Sequence, residues 1–230
     1  MPPEVKLAQR LIQRRNLCPP VDVKRLLQEF AVVEYVDFPV QIDGLCLGLK
    51  AAGRKPSALV NKSSYPTRQR FTLAHELGHV LIPWHMGSII DEIDVADFSN
   101  DGYLAVEAEA NRFASELLMP TDWVKRQIRS VERPLEALFR VSSLAAVSPR
   151  AASIKLINCL PPNYVMASSV DDRVNWSSRS DGTLAAAVGF DTDLKVVDPY
   201  PFPCERWSQG YNGTTFHLWH FTAAADPPVE

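Results

Sequence analysis

Three features of the sequence predict an α+β fold. Apolar residues recur at helical spacing over residues 3–16, through Val5, Leu7, Ala8, Leu11 and Ile12. Between Ala31 and Asn61 the pattern shifts to that of β-strands, and from Pro66 to Ile82 it is helical again. Beyond Pro161-Pro162 short strand-like runs return. The expected organisation is a core with a small mixed sheet over residues 1–130, a helical segment over 131–160, and a small β-rich region over 161–230.

The composition suits a buried core. Of 230 residues, 46% are hydrophobic and 22% charged, which argues against disorder. No run approaches the roughly 18 apolar residues of a membrane span. Met1–Asn16 is charged throughout and has no apolar core of a signal peptide, so a cytoplasmic location is expected. With 24 Lys+Arg against 27 Asp+Glu the net charge is −3, which offers no global attraction to nucleic acid. Cys18, Cys46, Cys159 and Cys204 are widely spaced with no C-x-x-C pair. They read as free thiols of a reducing compartment.

The first helix breaks at Asn16 to Pro20. Asp22 can cap a second, Val23–Phe30, which buries Leu26, Leu27 and Phe30. Ala31–Phe38, Gly44–Lys50 and Ser57–Asn61 read as strands, the last two separated by a turn at Gly53–Pro56. In the helix from Pro66, the residues Phe71, Ala74, Leu77, Gly78 and Leu81 share a face, and Pro83 ends it. Residues 87–102 read as a loop whose Asp91, Glu92, Asp94, Asp97 and Asp101 form a solvated acidic surface. A long helix covers Tyr103–Met119, and Thr121 and Asp122 cap another that runs to Ser130. Pro134–Asn158 reads as two or three short helices. Tyr164–Val170 and Val174–Ser177 are expected strands around a turn at Asp171–Arg173, with Ala185–Phe190 a further one. The rest, with Pro199, Pro201 and Pro203, reads as irregular.

Chemistry concentrates in His75-Glu76-Leu77-Gly78-His79. Histidines at i and i+4 lie about 40° apart and one turn along a helix, so both imidazoles can reach one cation. Glu76 points beside that pair, where it can touch a metal-activated water without being a ligand. This is the H-E-x-x-H arrangement of zinc hydrolases. Two surface histidines on an amphipathic helix would be the plain alternative. The apolar surround of Phe71, Leu73, Ala74, Leu77, Val80 and Leu81 argues against it, because buried His and Glu without partners are costly.

A catalytic zinc needs a third protein ligand and one open position. His85 lies six residues after His79, at the spacing of the longer H-E-x-x-H-x-x-G-x-x-H signature, but Ile82 replaces the glycine of its turn. The other source is the helix carrying Glu107, Glu109 and Asn111. Glu107 extends the stripe of Ala110, Ala114 and Leu117 and is the favoured ligand; Glu109 lies about 200° away and reads as a surface carboxylate. His85 and Glu109 stay open as alternatives.

The pairing of Arg70–His79 (RFTLAHELGH) with Glu107–Pro120 (EAEANRFASELLMP) resembles the ImmA/IrrE family of metallopeptidases. The similarity extends to the Pro20–Asp22 helix start, the SALVN strand and Leu138–Ala146, and covers roughly residues 5–160. It implies a zincin-like peptidase core over residues 1–130 and a helix-turn-helix-like segment over 131–160. It also implies Zn2+ held by His75, His79 and Glu107, with Glu76 as general base and Asn111 orienting a ligand by hydrogen bonding. The departure from the family is Pro83-Trp84, where the family often continues its helix to a further histidine.

The implied activity is that of an intracellular regulatory protease cleaving a helix-turn-helix transcriptional repressor. A non-catalytic zinc-containing regulator that binds a repressor or DNA is the alternative, and intact Glu76 favours the protease. Tyr65, Arg68, Arg70, His85 and Tyr103 are the candidate oxyanion donors. Arg140, Arg150 and Lys155 are a thin footprint for DNA, and His217 and His220 are candidates for a second metal. No membrane partner is expected. Ser57–Asn61, next to the metal helix in sequence, is expected to be the sheet edge on which an extended substrate docks.

Overall fold

The computed structural model describes residues 1–38, 42–92 and 101–221. They divide into two compact units, Met1–Pro120 with Ser142–Ser148, and Thr121–Val141 with Pro149–Glu230. The helical stretch 131–160 is thus shared between the two. No helix among the described residues is long and apolar enough to cross a membrane.

In the first unit, α1 (Pro3–Arg15) begins with proline in its first turn and ends at Asn16 in the left-handed conformation, φ 50°. The short α2 (Val23–Gln28) is capped by Asp22, whose carboxylate accepts from Arg25 N at 3.1 Å. Then come β1 (Val32–Val36), β2 (Ile42–Leu49), β3 (Ser57–Asn61), α3 (Pro66–Leu81), β4 (Gly87–Glu92) and α4 (Asp101–Leu118). The strands form a mixed sheet in the order β1-β3-β2-β4. β1 runs parallel to β3, while β2 is antiparallel to both β3 and β4.

Two sequence expectations change here. Ser57–Asn61 is an interior strand, hydrogen-bonded to β1 on one side and β2 on the other, so it is not a docking edge. Its alternating Ala58 and Val60, both fully buried, are what an interior strand needs. The start of the stretch read as an acidic loop is instead strand β4, which includes Asp91 and Glu92; Asp94 and Asp97 lie outside the described residues.

α3 packs against β2 on one side and α4 on the other. The contact with α4 is close because Gly78 has no side chain. A Cβ there would lie 3.2 Å from Phe113 Cδ1 and 3.3 Å from Ala110 Cα. Leu77, Phe113, Ala114 and Leu117 fill the surrounding core. α1 lies on α4, with Gln9 Nε2 donating to Glu116 Oε1 at 3.0 Å and Arg112 paired with the buried Glu4.

The second unit contains α5 (Thr121–Arg129), the first part of α6 (Pro134–Ala145) and α7 (Pro149–Ile157). Its sheet comprises β5 (Tyr164–Val170), β6 (Arg173–Arg179), β7 (Glu205–Tyr211) and β8 (Thr214–His220). It is antiparallel throughout, in the order β6-β5-β8-β7. Val165, Ala167, Val174, Val188, Tyr200 and Trp219 form a core cluster against it. Ala185–Phe190, expected as a strand, belongs to none; residues expected to be irregular supply β7 and β8. Their turn is Asn212-Gly213, both with positive φ, which is the backbone of a tight hairpin.

Candidate metal centre

Helix α3 brings His75, Glu76 and His79 into the interior of the first unit, where all three are buried. The Nε2 atoms of His75 and His79 approach to 2.8 Å. Glu107, on α4, reaches the same point: Oε2 is 3.1 Å from His75 Nε2 and Oε1 is 3.4 Å from His79 Nε2. One ligand atom from each of the three residues lies within 4.8 Å of the others, a grouping able to hold a metal ion.

Each imidazole is tethered through its far nitrogen. His75 Nδ1 is 3.0 Å from Asn111 Oδ1, one turn after Glu107 on α4. Because that oxygen only accepts, the proton sits on His75 Nδ1 and the lone pair on Nε2 faces the site. His79 Nδ1 is 2.8 Å from His85 Nδ1, and His85 Nε2 is 3.0 Å from Glu109 Oε2. Trp84 Nε1 donates to the same Glu109 oxygen at 2.5 Å. His85 and Glu109 therefore stand behind His79 and are not part of the three-residue grouping. The sequence reading of Glu109 as a plain surface carboxylate gives way to this partnership with His85 and Trp84.

The electrostatics suit a cation. Burial lowers the His79 pKa to about 4, with the neighbouring Glu107 only partly opposing, so the ring is neutral and offers a lone pair. Burial is also the largest influence on Glu107 and tends to raise its pKa. The contacts with His75 and His79 together outweigh it, and the carboxyl is held at about 2. Glu107 Oε1 is buried and completes no hydrogen bond of good geometry. Two lone-pair nitrogens and a carboxylate oxygen converging in a largely buried site repel one another unless a positive charge lies between them. The donor set of two imidazoles and one carboxylate fits a divalent transition metal.

Two close approaches were not legible from residue types. Gly44 on β2 lies against Glu76, and a Cβ there would overlap Glu76 Oε1 and come within 2.6 Å of Thr72 Cγ2. Lys50, at the end of β2, donates to the carbonyls of His79 and Val80 at 3.1 and 2.6 Å. It thereby satisfies exposed carbonyls in the last turn of α3 and ties the ligand helix to the sheet. The buried Cys46 is another neighbour of Glu76. Burial first, then the Glu76 charge and a hydrogen bond to it, raise its thiol pKa, so it stays protonated.

Several other candidates have structural tasks. Arg68 is bonded to the buried Asp43, and Arg70 to the carbonyls of Val21 and Ala145. Tyr65 is largely exposed at the start of α3, and the side chain of Tyr103 lies outside the described residues. Arg140 bonds to Gln127, Arg150 lies over the Trp176 ring, and Lys155 bonds to Thr121. His217 is flanked by Ser169 and Ser208, while His220 pairs with Glu205, so the two do not converge on a common point.

The sequence pattern of the IrrE N-terminal-like domain, a peptidase family, matches residues 43–148, which span the three converging residues. Two curated relatives are radiation response metalloproteases named IrrE. The one from Deinococcus deserti is 27% identical over 70% of this chain and 62% of its own length. The one from Deinococcus radiodurans is 28% identical over 47% of this chain and 33% of its own length. The chain thus spans between a third and two thirds of these relatives. A solved structure titled Mycobacterium tuberculosis transcriptional regulator superposes over 94% of this chain and 75% of its own, with a TM-score of 0.55 and 12% identity, a likeness of fold. The match to the peptidase domain over residues 43–148 and the likeness to these metalloproteases thus agree with the resemblance to the ImmA/IrrE metallopeptidases over the part of the chain that holds His75, His79 and Glu107.

Proposed function

We propose that this protein is a zinc-dependent regulatory endopeptidase of the cytoplasm, and that its substrate is a helix-turn-helix transcriptional repressor. The observation that carries the catalytic part is the convergence of His75, His79 and Glu107 with Glu76 buried alongside on the same helix. His75, His79 and Glu107 would hold the metal, with Asn111 orienting His75. Three protein ligands leave a position open for chemistry, whereas a structural zinc normally has four. Zinc held there would supply Lewis acidity toward a scissile carbonyl and lower the pKa of water toward neutrality.

Glu76 would act as the general base, accepting a proton from the attacking water and passing it to the leaving amine. Gly44 leaves room for its carboxylate against β2, and the neighbouring thiol of Cys46 stays neutral beside it. The extended posture of a substrate is best served by β4, an end strand of the sheet paired to β2, the strand that meets Glu76. Main-chain hydrogen bonds to such an edge hold a peptide without demanding a particular side-chain sequence. The repressor as target rests on the family resemblance of residues 70–79 and 107–120.

The test is metal content of the purified chain together with cleavage of helix-turn-helix proteins encoded beside it. Stoichiometric zinc and a discrete cut that disappears with Glu76→Gln support the reading. Zinc without cleavage, combined with tight binding of the same proteins, would favour a non-catalytic regulator.

A further inference from the structure

The far side of His79 is built differently from the far side of His75. Asn111 offers His75 an oxygen that can only accept. His79 instead faces a second imidazole, His85, whose Nδ1 can either donate or accept. Binding a cation through His79 Nε2 requires a proton on His79 Nδ1, and hence a lone pair on His85 Nδ1. That is the tautomer of His85 with its proton on Nε2. Glu109 selects this tautomer, because its Oε2 lies 3.0 Å from His85 Nε2 and a carboxylate only accepts. Trp84 donates to the same oxygen and holds it in place.

We propose that His85 and Glu109 are positioning residues, a two-step relay that fixes the tautomer of His79 and so presents its Nε2 to the metal. The proposal rests on the ligand set given above. The relay does what Asn111 does for His75, through one more ring and from a carboxylate near the surface, its side chain 24% exposed. His85 is itself fully enclosed, which keeps water from substituting for either partner.

In histidine, Nδ1 is bonded to Cγ, as Oδ1 is in asparagine. His85→Asn therefore puts an acceptor where Nδ1 stood, whereas His85→Leu fills similar space with none. The measurement is the affinity of the full chain for Zn2+ alone, by competition with a chromophoric chelator, on variants whose melting and circular dichroism show them folded. Partners of metal ligands typically contribute about 10–100-fold in affinity. His85→Leu is expected to weaken Zn2+ by that factor, and His85→Asn to restore binding to within about threefold of native. Glu109→Ala weakens Zn2+ in the native background but not beside His85→Asn, where no tautomer remains to be chosen. A purely structural role for Glu109 would act in both backgrounds, which also tests the relay should His85→Leu not fold. Native-like affinity in His85→Leu, no rescue by His85→Asn, or an equal effect of Glu109→Ala in both backgrounds would overturn the relay alone. A native chain that binds no Zn2+ would overturn the ligand set, and the relay with it.

Discussion

Glu76 shares its helix turn with two proposed ligands, yet its expected role is separable from theirs. Glu76→Gln keeps shape and hydrogen-bonding capacity but removes the base. Hydrolysis should fall by about 10²- to 10⁴-fold while zinc stays at one per chain, read by rate measurement and elemental analysis on the same sample. His75→Ala should lose zinc and activity together. Parallel loss of zinc in Glu76→Gln would mean that this carboxylate is a ligand. Gly44 supplies a second single-residue test. Gly44→Ala introduces a methyl where Glu76 Oε1 and Thr72 lie, so the base must move or the strand must shift. We expect a stability loss of about 1–3 kcal/mol by chemical denaturation, accompanied by loss of activity.

Helices α3 and α4 act as a pair, and the pair is sensitive to its spacing. Gly78 lets the backbone of Ala110 approach α3, and Glu107 and Asn111 flank Ala110 along α4. Gly78→Val should force the helices apart, weaken zinc through both α4 residues, and lower the denaturation midpoint by an amount worth about 1–3 kcal/mol. An unchanged zinc affinity in that variant would show that α4 does not set the site. The local part of this arrangement was legible in the sequence, because i,i+4 spacing on a helix is a short-range fact about His75 and His79. So was the Glu107 face, from its register with Ala110 and Ala114. The tether of His79 was not, since His85 and Glu109 lie 24 residues apart and meet only through the packing of α4. Sheet order was hidden for the same reason. β3 is interior because β1 pairs with it in parallel, and nothing in Ser57–Asn61 itself announces a partner on each side. The β7–β8 hairpin was within reach, for Asn212-Gly213 between alternating runs is a strong turn signal. The nearby prolines masked it.

At the scale of the whole chain, ligand binding should appear as stability. A cation bound only by the folded state adds RT ln(1 + [L]/Kd), about 2.7 kcal/mol at a hundredfold excess over Kd. Zinc should therefore raise the first melting transition by several degrees, chelation should reverse the gain, and His79→Ala should abolish it. A melt indifferent to zinc would contradict a site within the folded core.

The first unit is completed by residues 142–148, which return to it after the chain has already entered the second. Ala145 is buried there and gives its carbonyl to Arg70, on the helix that carries the proposed ligands. The two bodies are therefore interlaced along the gene rather than written one after the other. A fusion or graft that copies residues 1–130 as a portable module would transfer the histidines but leave out the Ala145 carbonyl that holds Arg70 on their helix. Dissection has to follow the fold, either keeping 142–148 in place or rejoining it through a new linker.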